Sequence, residues 1–184
     1  MKKILIILTG VFVFILNINA QDVLKSSKGT ISFFSHAPLE DIVAESDKLA
    51  GAINTKTGAV AVFVKINTLE MENKMQQEHL NEKYLESDKY PKAAFKGVIE
   101  GNIIWNKDGE YYVKAKGNLD IHGTSLERVI PITVTIKNGV VSSTSKFKVK
   151  VADHKVELPS LVFKKVSEEV EITLNATFIP YEKK

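Results

Sequence analysis

The residues that could do chemistry are few and scattered. Four histidines, His36, His79, His122 and His154, are the only imidazoles in the 184-residue chain. None stands in the HxH, HxxxH or HExxH spacing that aims two ligands at one metal ion. Two of them have plain readings, His79 on a helical stretch and His154 in a charged loop. His122 follows Leu119-Asp120-Ile121 and precedes Gly123, a strand end where it could hydrogen-bond at a rim. Asp120, His122 and Ser125 could form a relay that deprotonates a serine, but no G-x-S-x-G turn is there to expose such a nucleophile. The ten glycines form neither GxGxxG nor GxxxxGK[ST], so no known phosphate loop is present. The expectation is a protein without catalytic residues, metal or cofactor. Lys146, Lys148 and Lys150 make a one-sided basic row, which reads as a solvated face or as a peripheral contact with an anionic membrane surface.

The elements that would position any of these residues begin after the leader. Met1-Lys2-Lys3 precedes an uncharged run from Ile4 to Ile18, about 15 residues long. Asn17-Ile18-Asn19-Ala20 then supplies a polar exit and a small residue, the layout of a cleaved signal peptide. The run is short of the roughly 20 residues that span a bilayer. Residues 1–20 are therefore expected to be a signal peptide and residues 21–184 a single domain, periplasmic or secreted after cleavage near Ala20. The chain has no cysteine, hence neither a lipoprotein attachment point nor a disulfide, and its stability must come from packing. Two of the 25 basic residues lie in the leader, which leaves the remainder nearly neutral against 22 acidic residues. Binding to nucleic acid would need a concentrated basic patch, so it is not expected.

From Thr30 onward, alternation with period two dominates. Strands are predicted at Thr30 to His36, Asp41 to Asp47, Ala59 to Ile66, Lys92 to Trp105, Tyr111 to Ile121, Ser125 to Lys137, Val140 to Val151 and Glu169 to Phe178. Asn138-Gly139 is the strongest hairpin signal, and Asp108-Gly109 suggests a second tight turn. Between about Asn73 and Ser87 the apolar spacing changes to three-to-five residues, which predicts a short surface helix capped by Asn73. About eight strands and one helix result, without linker or repeat. Closing an up-and-down sheet removes its edges, so a barrel is economical, and a two-sheet sandwich fits nearly as well.

The inward faces mix bulky with very small side chains. Strand parity points Ala93, Phe95 and Gly97 inward on one strand, Ala115 and Gly117 on the next, and Ser143, Ser145 and Phe147 on a third. Interiors are close-packed, so a layer of Gly, Ala and Ser needs another filler, and a bound ligand could be it. The alternative is that Gly97 and Gly117 permit sharp bends while the serines sit at a wet mouth or against the helix.

Two stretches together resemble the YceI-like family of exported lipid-binding proteins. One is His79-Leu80, Tyr84-Leu85, Tyr90-Pro91, Ala94-Phe95 and Gly97; the other is Gly117-Asn118-Leu119-Asp120-Ile121-His122-Gly123-Thr124. The resemblance implies an all-β fold with one short helix, an extended eight-stranded antiparallel lipocalin-like β-barrel around a long apolar tunnel. It implies a polyisoprenoid ligand such as an isoprenoid quinone, and no enzymatic activity. The chain departs from many relatives at Lys25 to Thr30 and at Ala152-Asp153-His154-Lys155-Val156, and these differences bear on the headgroup more than on the barrel.

The leading expectation is a carrier for an apolar lipid, compatible with a homodimer. Phe33, Val62, Val64, Phe95, Phe147, Ile172 and Leu174 would form apolar walls. Ala93, Gly97, Ala115, Gly117, Ser143 and Ser145 would keep the lumen open. The rival is a solid-cored envelope interaction module that docks through its helix and the lysine row, and a hydrolase centred on His122 ranks last.

Overall fold

The computed structural model describes residues 22–36, 41–157 and 169–181; the signal peptide expected at residues 1–20 lies outside them. Period-two sequence becomes strands with one wet and one buried face. In β4 (Ala59–Lys65), Val60 and Val64 are buried while Ala61, Phe63 and Lys65 are exposed. The other strands are β1 (Val23–Ser35), β2 (Ile42–Ser46), β3 (Ala50–Asn54), β5 (Lys92–Glu100), β6 (Gly109–Ile121), β7 (Thr124–Lys137), β8 (Val140–Lys150) and β9 (Glu169–Pro180). All neighbours are antiparallel, and β1 also pairs with β9, which closes the sheet into a barrel.

Among the described residues, nine strand segments occupy eight positions around this barrel. β2 and β3 both lie against β1 in the same register, Ile31 opposite Ser46 and Val23 opposite Asn54. They are two halves of one interrupted strand. The break falls at Leu49, whose N–H donates to the Gly29 carbonyl at 3.2 Å. A Cβ on Gly29 would lie 2.3 Å from the Leu49 carbonyl oxygen, so the close crossing needs glycine. β3 was not anticipated, because Ala50-Gly51-Ala52 has no alternation to read.

One stretch of the wall is joined differently. β7 pairs with β6 along its whole length, and β8 pairs with β9 along its whole length. β7 and β8, by contrast, pair only between Thr133–Lys137 and Val140–Thr144. Beyond that the two strands are linked by side chains: Ser145 Oγ donates to the Pro131 carbonyl (2.7 Å) and Arg128 Nη2 to the Lys148 carbonyl (2.6 Å). Pro131, which has no N–H, stands where the ladder stops.

The two ends are covered by different devices. His122 (φ 52°) with Gly123 (φ 68°) makes a two-residue hairpin at one end, and Asn138 (φ 51°) with Gly139 (φ 76°) makes the expected one at the other. Asp108-Gly109 does not form one. The strand expected to reach Trp105 stops at Glu100, Gly101 turns away at φ 139°, and Ile103 and Trp105 fold back to pack on the core. Asp108 instead accepts the backbone N–H of Asn138 at 3.0 Å. At the opposite end lies α1 (Lys74–His79), extended by a single π-turn, Leu80–Tyr84. Asn73 caps it as expected, its Oδ1 accepting from Met75 N–H at 3.0 Å and Gln76 N–H at 3.2 Å.

Candidate functional site

The barrel is hollow. A cavity of about 530 Å³ lies inside it, within the range of small-molecule sites. Its wall is built by strand parity: Val60, Val62 and Val64 of β4, then Ile130, Ile132 and Val134 of β7, alternate inward while their neighbours face water. Along β9 the same rule brings Val170, Ile172, Leu174, Ala176 and Phe178 to the lumen.

Of the residues singled out from sequence, Phe33, Val62, Val64, Phe95, Phe147, Ile172 and Leu174 stand in the cavity wall. So do the small residues Ala93, Ser143 and Ser145. Gly97, Ala115 and Gly117 do not. Gly97 and Gly117 are paired across β5 and β6, and their missing side chains serve strand approach rather than lumen volume. A Cβ on Gly97 would lie 2.3 Å from the Lys116 carbonyl oxygen, and one on Gly117 2.2 Å from that of Lys96. Both glycines therefore serve a close approach of β5 and β6, a role distinct from an open lumen and from a sharp bend. Ala115 is fully buried between its cross-strand partners Ile99 and Ile130, packed rather than open. Ser145 is not at a wet mouth either; its hydroxyl is spent on the Pro131 carbonyl.

Sequence reasoning missed the roof. Gln76, His79, Leu80, Tyr84 and Leu85 all reach the cavity, so the segment expected on the surface is a lid. The signal was its apolar spacing, read as a helix but not as a cover. Beneath the lid, Ala44, Ile66, Leu69, Met71 and Leu80 form a second apolar cluster. Val156 and His154, from the loop after β8, complete this end.

His122 does not join a relay. Its Nε2 meets Glu86 Oε2 at 2.7 Å, and Tyr90 packs edge-on to its ring at 4.4 Å between centroids. Glu86 (φ 43°) and His122 (φ 52°) both adopt the left-handed conformation. The pair fastens the end of the lid to the β6–β7 hairpin. Lys89, beside the same glutamate, has its pKa raised by a hydrogen bond with Tyr90 and by the charge of Glu86. Among the described residues, no three His, Cys, Asp or Glu side chains gather as a metal site. The lysine row lies outside the barrel, where Lys146 meets Glu171 at 2.7 Å and Lys148 meets Glu169 at 3.8 Å.

Comparison with known proteins gives a consistent picture. The YceI-like domain family matches residues 23–178. A polyisoprenoid-binding domain from Saccharophagus degradans superposes with a TM-score of 0.76 at 14% identity, covering 86% of this chain and 98% of that one. BcnA of Burkholderia cenocepacia gives 0.65 at 14% identity, covering 81% and 95%. The YCEI protein of Campylobacter jejuni gives 0.56 at 16% identity, covering 80% and 90%. At such identities the likeness concerns the fold. No curated protein matches the chain.

Proposed function

The chain belongs to the YceI-like family, and from that premise we propose that it is a non-enzymatic carrier, periplasmic or secreted, which holds one long apolar molecule of isoprenoid type in its barrel. The observation that carries the reading is the cavity: about 530 Å³ with walls almost wholly of aliphatic and aromatic side chains. Such a space gains free energy by taking an apolar chain out of water, at roughly 25 cal/mol per Å². It needs no reacting group. The polyisoprenoid-binding domain of Saccharophagus degradans supports an isoprenoid in particular, and quinone-headed isoprenoids fall within the same class. A docking module would need a filled core and a free basic row. The interior is open, and two of the three lysines already face glutamates.

The test is organic extraction and mass spectrometry of protein purified without detergent, followed by reloading with geranylgeraniol. A co-purifying apolar lipid near one per chain is expected. The reloaded protein should gain about 2.7 kcal/mol of stability at a hundredfold excess over Kd. Repeated recovery of lipid-free protein that also takes up no geranylgeraniol would overturn the carrier reading. Native mass spectra of the same samples also report whether two copies associate.

A further inference from the structure

His154 is not the solvated loop residue its sequence surroundings suggest. It ends the 3-10 turn Val151–His154 after β8, and its relative exposure is 0%. Lys155 follows in the left-handed conformation (φ 57°) and turns the chain so that Val156 also reaches the cavity. The imidazole stands in the cavity wall with its Nδ1 3.0 Å from the Thr124 carbonyl oxygen. A carbonyl only accepts, so Nδ1 carries the proton, and in the neutral ring Nε2 is left with a lone pair. That Nε2 is buried and has no hydrogen-bond partner. Leaving such an atom unsatisfied in a finished fold is costly.

Apart from Ser143 and Ser145 on β8, the polar side chains that line the cavity gather at one end. Ser35 at the close of β1, Gln76, His79 and Tyr84 of the lid, and His154 all line it where the lid sits, whereas Ile53, Val60, Val134 and Phe178 line the remote part. We propose that this end is a headgroup site in which His154 Nε2 accepts a hydrogen bond from a lipid hydroxyl, aliphatic or phenolic, with the apolar chain directed toward Phe178. A headgroup that only accepts, such as an ether or a quinone carbonyl, would set lone pair against lone pair there. The site thus selects a prenol, prenylated phenol or quinol over the corresponding ether or quinone. This rests on the carrier reading and adds to it a chemical preference.

The experiment compares geranylgeraniol with its methyl ether, which keeps the chain and the oxygen but has no donor, at one and the same pH. The wild-type protein should bind the alcohol on the order of tenfold more tightly. His154→Phe should bind both alike, near the affinity of the ether. A geranylgeranylated phenol and its methyl ether repeat the comparison and separate aromatic from aliphatic hydroxyls. Because the variant could fail to fold, the Nε2 resonance of 15N-histidine-labelled wild type is followed too, and it should shift with the alcohol and not with the ether. Equal binding of alcohol and ether by the wild type would overturn the headgroup site while leaving the carrier intact. A preference that survives in a folded His154→Phe would overturn the assignment to this residue. Binding of neither probe would overturn both readings.

Discussion

Gly117 shows how a small residue can be read two ways. On parity alone it leaves space in the lumen, and its neighbours Ala115 and Leu119 do face inward. Which reading holds depends on the distance between β5 and β6, set by Gly97 opposite it. Gly117→Ala should therefore destabilise the protein by about 3 kcal/mol or more in urea unfolding, because the clash is with backbone that cannot yield. Gly139→Ala, with nothing within 4 Å of the added carbon, should cost only the left-handed strain of about 1–2 kcal/mol. A better plug for the lumen is Ser143→Phe, at a half-buried wall position between Val134 and Ala176. That variant should keep the barrel's circular dichroism and lower geranylgeraniol uptake at least about tenfold. His154 marks the limit of residue-level reading: its flanks, Asp153 and Lys155, are charged, and only the turn that follows β8 shows that the ring is buried.

Strands that bury one face were legible because parity is a property of the segment itself. Val60, Val62 and Val64 share a face opposite Lys65, and Ile172 and Leu174 share one opposite Glu171 and Thr173, so each set could point only one way once those polar side chains were given to water. What could not be read is set by distant partners. β3 exists because Gly29 lets Leu49 cross close to β1, and the strand before Gly101 ends where Ile103 and Trp105 find the open end of the core. The lid belongs to the same class, since a helix on the surface and a helix over a mouth share one amphipathic pattern. Its fastening is testable: His122→Ala removes the contact with Glu86 and should speed amide exchange throughout residues 74–90 by roughly tenfold, with much smaller changes in β8 and β9. In the unmutated protein, alternate amides of Ser145–Lys150, those facing β7, should exchange faster than those facing β9. Only side chains span the former side.

For the molecule as a whole, the eight strand positions and one helix seen among the described residues were available from alternation and turn chemistry, but closure was not. A barrel and a sandwich bury the same faces, and the choice lies in whether the first strand meets the last. Here Phe34 lies opposite Glu171 and Leu24 opposite Pro180, so the seal is made by segments at the two extremes of the described chain. Ending the chain before Glu169 should leave β1 and β8 with open edges, and the product should aggregate, as light scattering would report.

That closing pair also sets the order of events in folding. Contacts between such remote segments give a high contact order, and barrels of this kind form in milliseconds to seconds rather than microseconds. Hairpins such as β6–β7 can zip locally while the chain is still growing. The wall between β1 and β9 cannot form until the last strand has left the ribosome. The enclosed cavity therefore comes into being in a single late step, and an apolar guest finds it only in the finished protein.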